Sequence, residues 1–196
     1  MNDLEKKVTQ SELLANGWTR KLIQDFLPEP ELKRNPHYKR GPQMKLWSVS
    51  DVESVMQTKE FQEAKEKADK RKMSAQKAVI TKTDKLLEDI EKKILEIEVV
   101  KVNDKKLRKD TLAAKEVWYM VHDIPSDVYS VDAETMNRWI VNYIRHNLTS
   151  YDEELYLMSG KVGCHIAYVR YKNAVLHKIA EVYPKYAEEC SMQAEV

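Results

Sequence analysis

Five basic side chains fall between Lys33 and Lys45, namely Lys33, Arg34, Lys39, Arg40 and Lys45, with no carboxylate among them. Contact with nucleic-acid phosphates needs this composition: cations to meet the charge, on a segment without competing acids. His37 and Tyr38 interleave with these cations. Upstream, Arg20, Lys21 and Gln24 are side chains of the types that read base edges, arginine at guanine and glutamine at adenine. The bland alternatives are a solvated loop and an amphipathic helix burying Leu22, Ile23 and Phe26. The two uses of that helix are compatible, because its apolar side can pack while its polar side faces out. Lys67, Lys70, Arg71 and Lys72 form a further basic excess, which is a phosphate-contact candidate or simply a solvated face with i,i+4 pairs.

A second constellation is Arg145-His146 followed by Tyr151-Asp152. As chemistry it offers a histidine base and an aspartate to orient it. Residues so close together at a helix end seldom converge on one substrate. A capped turn uses them more simply, with Thr149 as N-cap and Asp152 or Glu153 in the first turn. Arg145, His146 and Tyr151 are therefore read as a second contact site rather than a catalytic set. Cys164, His165 and His177 fit no zinc spacing. The chain has no glycine-rich phosphate loop, no His-Glu-x-x-His and no nucleophile elbow. The expectation is a protein that is not an enzyme and that carries no metal or cofactor.

The elements that must position these residues follow from local signals. Thr9 to Asn16 reads as a short helix whose Thr9 and Glu12 form a capping box, and Gly17 ends it. Thr19 caps a second helix over Arg20–Leu27, stopped by Pro28 and Pro30. Two short helices around a glycine turn are the sequence form of a helix-turn-helix. Met44 to Val49 alternates as a strand does, with Tyr38 and its neighbours as the partner strand of a hairpin. Ser50 is read as the cap of the next helix, with Glu53 at the capping-box position. That helix breaks near Thr58. Trp18 and Trp47 are assigned to the core, Trp47 against Leu13 or Leu27.

Residues 59–78 are almost wholly charged, with a thin stripe of Phe61, Ala64, Ala68, Ala75 and Ala78. Beyond them Ile80, Leu87, Ile90, Ile94 and Ile97 repeat as an amphipathic seam, for a homodimer coiled coil or for packing onto the chain's own helices. The helix is expected to end near Asn103-Asp104. Further helices are expected at about 110–121, 133–147, from Thr149 or Ser150 until Gly160 and Gly163 close it, and 165–183.

The bulk numbers agree. The 196 residues are 42% apolar and 33% charged, with few glycines and phenylalanines, which argues against an all-β fold. A net charge of +1 excludes a globally basic coat but not a local basic surface. No apolar run could span a membrane. The charged first residues are no secretory signal, and two distant cysteines suit a reduced, cytoplasmic setting. The fold class read from this is mainly α. It comprises a winged helix-turn-helix module with a small β-hairpin over 1–58, a long charged helix over 59–103 and an all-helical bundle over 104–196.

The order helix, turn, helix, basic hairpin, aromatic-ended strand and serine-opened helix resembles the winged DNA-binding domains of mercury-resistance-type (MerR-like) regulators. In these the second helix enters the major groove and the hairpin touches the backbone. The segment Lys33-Arg34-Asn35-Pro36-His37, Met44-Lys45-Leu46-Trp47 and Gln62-Glu63-Ala64-Lys65-Glu66-Lys67 resembles the C-terminal part of the DNA-binding domain of the xeroderma pigmentosum group A repair family. This likeness covers about a quarter of the chain. It implies DNA contact by Lys33, Arg34, His37, Lys45, Lys67, Lys70, Arg71 and Lys72. The family's four-cysteine zinc module has no counterpart here, so no damage-repair role is implied. Arg145-His146-Asn147-Leu148-Thr149-Ser150-Tyr151-Asp152 resembles an Arg-His-x-x-Thr-x-Tyr-Asp pattern in an uncharacterised bacterial family. The expectation is a bacterial, phage or mobile-element accessory or regulatory protein that binds duplex DNA. A protein partner or homodimer would use the 80–97 helix or the C-terminal domain. The alternative is an interaction module, inhibitor or adaptor of a nucleic-acid-processing partner.

Overall fold

The computed structural model describes residues 6–36, 41–125 and 127–194. His37, Tyr38, Lys39 and Arg40 lie outside the described residues. The protein is mainly α-helical with one small antiparallel sheet. It divides into two compact units, Met1–Lys77 and Ala78–Val196.

The first unit runs β1 (Lys7–Thr9), α1 (Gln10–Ala15), α2 (Arg20–Phe26), β2 (Glu31–Lys33), β3 (Met44–Ser48) and α3 (Val49–Met56), then enters α4 (Lys59–Leu95). The Thr9–Glu12 capping box is present in full. Gly17 takes a φ of +82°, a left-handed turn that only glycine enters without strain. Thr19 Oγ1 accepts from Leu22 N at 3.1 Å and starts α2. The sheet order is β1-β3-β2, both pairs antiparallel, with Val8 opposite Trp47 and Leu32 opposite Lys45. Two expectations are corrected here. β3 pairs with Glu31–Lys33 on one side, and the strand on its other side, Lys7–Thr9, was not expected; the expected partner strand around Tyr38 lies outside the described residues. The cap of α3 is Ser48, whose hydroxyl accepts from Asp51 N at 3.0 Å, not Ser50. The strand ends at Ser48, where Val49 N turns to bond Lys6 O at 2.9 Å, so the helix starts two residues earlier.

Leu13, Trp18, Leu22, Ile23, Leu27, Trp47, Val52 and Phe61 form the core of this unit. Trp18 and Trp47 are buried as expected, at 4% and 5% exposure. Of the thin stripe on α4, Phe61, Ala64 and Ala68 pack into that core, whereas Ala75 and Ala78 are exposed.

In the second unit, α4 continues to Leu95. It ends eight residues short of Asn103. Residues 97–102 include Ile97, Val99, Val100 and Val102, a β-branched run that resists helix. The segment is tied down by Tyr183, whose hydroxyl accepts from Val102 N at 2.8 Å and donates to Val100 O at 3.0 Å. Asn103 then caps α5 (Asp104–Val121), which begins six residues before the expected start at Asp110. Helices α6 (Ala133–Asn147), α7 (Tyr151–Met158), α8 (Cys164–Val182), a 3-10 turn (Pro184–Tyr186) and α9 (Ala187–Gln193) complete the bundle. Leu86, Ile90 and Ile97, with Leu87 and Ile94 beside them, bury into this unit's own core, while Ile80 is exposed. The seam is thus used within the chain.

Candidate nucleic-acid interface

Helix α2 and strand β3 bring three of the sequence-identified residues to one place. Arg20 and Gln24 from α2, Lys45 from β3 and Gln10 from α1 open onto a cavity of about 440 Å3. Its floor is Ile23, Leu27 and Trp47, fixed by the Trp47 indole N–H donating to Pro28 O at 2.8 Å. Glu29 is its one lining carboxylate. Lys45 shares a sheet face with Trp47 because the two are two residues apart on a strand. Arg20, Gln24 and Lys45 are all exposed, so nothing buries their polar ends.

Other candidates are placed differently. Lys21 pairs with Asp25 at 3.0 Å. Lys33 and Arg34 are exposed at the end of β2, Lys33 in register with Met44. On α4, Lys70 binds Glu66 at 2.6 Å, and that bond holds the Glu66 carboxyl below its ordinary pKa. Lys67, Lys70 and Arg71 share a face at i, i+3, i+4 spacing, and Lys72 falls on another side. Sequence reasoning passed over Lys65, whose ammonium reaches Gly17 O at 3.0 Å and Asp69 at 3.2 Å.

In the second unit, His146 Nδ1 lies 2.6 Å from Asp152 Oδ1, and its Nε2 lies 3.3 Å from an Arg145 terminal nitrogen. Both ring nitrogens are therefore engaged within the chain. Arg145 also donates to Asn142 Oδ1 at 3.1 Å and Gln193 Oε1 at 3.3 Å, and its guanidinium sits 5.1 Å above the Tyr151 ring. Tyr151, expected as a contact residue, is 1% exposed and stacks on Tyr171. It supports Arg145 from inside the core. Thr149 does not head a conventional cap. Its hydroxyl donates to Arg145 O at 2.6 Å and accepts from Tyr151 N at 3.1 Å, while Ser150 holds the N-cap position.

Arg145 and His146 also edge a cavity of about 340 Å3 between α5 and α6, with Lys115, Trp118, Trp139 and Tyr143. The sequence held a signal for it. Thr111, Ala114, Lys115 and Trp118 repeat at i, i+3, i+4, i+7, and so do Trp139, Asn142, Tyr143 and His146.

These features define a mainly helical protein in which a small sheet-and-helix unit presents basic and amide side chains around an aromatic floor. Comparison with family models, with curated proteins and with solved structures finds no match to this chain. No helix among the described residues is long and apolar enough to cross a membrane.

Proposed function

We propose that the protein is a DNA-binding accessory or regulatory protein, and that its first unit engages duplex DNA with α2 at the major groove. The observation that carries this reading is the convergence of Arg20, Gln24 and Lys45, from two elements, on one exposed cavity. The element order β1-α1-α2-β2-β3 suits a winged helix-turn-helix, as in the mercury-resistance-type regulators. The connection between β2 and β3 would be the wing, with Lys39 and Arg40 on phosphates. Lys67, Lys70 and Arg71, on one face of α4, would offer further phosphate contacts, Lys70 by exchanging its pairing with Glu66. Arg20 and Gln24 supply base-edge contacts and Lys45 a phosphate contact.

A second reading, a protein-interaction module, draws on one feature. Val117, Met120, Val121 and Tyr129 are each more than half exposed around the end of α5, more apolar surface than a solvated helix end requires.

The test is fluorescence anisotropy of the full chain against random duplex at two salt concentrations. Micromolar binding that weakens with salt, by about 0.9 log units per log unit for each phosphate neutralised, supports the reading. The double variant Arg20→Glu with Lys45→Glu is expected to abolish that binding with its circular dichroism unchanged. Equal binding by the folded variant would remove the assignment.

A further inference from the structure

The facing positions of α5 and α6 would carry aliphatic residues in an ordinary bundle and would close on each other. Here they carry rings, amides and cations. The space left, about 340 Å3, lies at the small end of ligand sites, which run from about 300 to 1,000 Å3.

Its charge is one-sided. Lys115 and Arg145 line it, and no carboxylate does. The Lys115 ammonium lies 4.1 Å from the ring centre of Trp118, 4.8 Å from Tyr119 and 5.3 Å from Trp139. Burial among those rings, and then the charge of Arg138, pull its pKa below the ordinary lysine value. An ammonium so placed gains from an added anion. Thr111 Oγ1 and Arg145 Nε, on two of the lining residues, are shielded from solvent and so lie behind the cavity wall; the charge open to a ligand comes from the Lys115 ammonium and the outer guanidinium edge of Arg145. Thr111 is 2% exposed.

We propose that this cavity binds a nucleotide, its base against the rings of Trp139 and Tyr143 and its phosphate on Lys115 and Arg145. The amides fit a base edge. Asn142 uses its Oδ1 for Arg145 and Asn147 its Nδ2 for Tyr143 O, which leaves the Asn142 NH2 as donor and the Asn147 Oδ1 as acceptor. The chemistry is shared by a mononucleotide in solution and an unpaired nucleotide of a single strand, since both expose a base face for stacking. A paired base in duplex has both faces covered. This site does not depend on duplex binding by the first unit.

The experiment is titration of the full chain with adenosine and thymidine monophosphates, a short single-stranded oligonucleotide, and benzoate as a flat anion without a base. Quenching of tryptophan fluorescence and calorimetry are the readouts. Saturable binding of a mononucleotide or of the single strand is expected, and which one binds identifies the source. Lys115→Met, which keeps the aliphatic stem, and Trp139→Leu should each weaken it by about tenfold or more. Arg20→Glu with Lys45→Glu should leave mononucleotide binding unchanged, which separates this site from the first unit. Should Trp139→Leu fail to fold by circular dichroism, Lys115→Met alone decides. Absence of saturable binding by every nucleotide probe, binding of benzoate alone, or binding indifferent to Lys115→Met would overturn the proposal.

Discussion

The Lys65 ammonium donates a 3.0 Å hydrogen bond to the carbonyl of Gly17. Gly17 is the turn between α1 and α2, and Lys65 lies nearly two turns into α4 (Lys59–Leu95), so the bond keys the helix pair to the start of the long helix. The Lys65 side chain is 29% exposed and is shared with Asp69 at 3.2 Å. Lys65→Met keeps the stem and removes the donor. The expected cost is about 1–2 kcal/mol, at the lower end for a hydrogen bond to a charged group because the side chain is partly exposed and shared with Asp69. Amide hydrogen exchange in α1 and α2 should accelerate by about five- to thirtyfold. Unchanged exchange would mean that packing of Phe61 and Trp18 alone sets the helix pair.

The capping box of α1 gives a pH dependence with a defined sign. Glu12 Oε2 accepts from Thr9 N at 2.7 Å and from Thr9 Oγ1 at 2.9 Å. The backbone bond first, and then the hydroxyl, hold the Glu12 pKa below its ordinary value of 4.5. The folded pKa is the lower one, so this stabilisation is present above pH 4.5. It is lost as pH falls through the folded value. Thr9→Ala should cost about 0.5–2 kcal/mol at neutral pH, as loss of an N-cap does. The difference in denaturation midpoint between wild type and Glu12→Gln should narrow below pH 4.5. A gap independent of pH would show that the carboxylate form is not what the cap uses.

Gly163 precedes α8 with a φ of +83°, and a Cβ built there would lie 2.7 Å from Thr83 Cγ2 and 2.8 Å from Thr83 Oγ1. Gly163→Ala meets two separate penalties, left-handed backbone strain and a clash with a side chain on α4. The expected loss is about 1–3 kcal/mol. Thr83→Ala removes the two nearest atoms and should restore part of it, leaving the backbone share and a tight 3.0 Å approach to the Thr83 Cβ. A double-mutant cycle in urea measures the coupling, expected above about 0.5 kcal/mol. Strict additivity would mean that Thr83 moves aside at no cost.

Local chemistry made part of this fold legible. Thr9, Gly17 and Thr19 announce α1 and α2 because each acts within four residues of itself. The 3.6-residue period over Met136, Ile140 and Ile144 gives α6 its bounds at Ala133 and Asn147. What escaped depends on distant partners. The three-residue strands β1 and β2 are too short to alternate visibly and exist because β3 lies between them. Ser50 reads as well as Ser48 for a cap until the strand is known to run to Ser48. The extended segment beyond Leu95 is held at Val100 and Val102 by Tyr183, far along the chain. Of the site residues, Arg20, Gln24 and Lys45 were visible by type, but only the sheet shows that they share a cavity. Lys115 and Trp139 looked like parts of two unrelated helices. Tyr151, exposed in a sequence view of a helix start, is drawn inward by stacking on Tyr171.

Helix α9 has no strong sequence signal, and Cys190 reports directly on whether it is docked. Cys190 is 2% exposed, and burial first, with a further push from Glu189, raises its thiol pKa to about 11. Cys164, at the first position of α8, is half-buried. The thiolate is the reacting species, so at pH 8 Cys190 is protected both by access and by protonation. Iodoacetamide should therefore modify Cys164 first, and Cys190 only at the rate at which the bundle opens. Peptide mapping at successive times distinguishes the two sites. In low urea, labelling of Cys190 should accelerate in step with the loss of helical circular dichroism. Equal rates for both cysteines in native buffer would show that α9 detaches from α8 and α6 in solution. The Gln193 contact to Arg145 would then be transient as well, and Arg145 would be held only by Asn142, His146 and the Tyr151 ring.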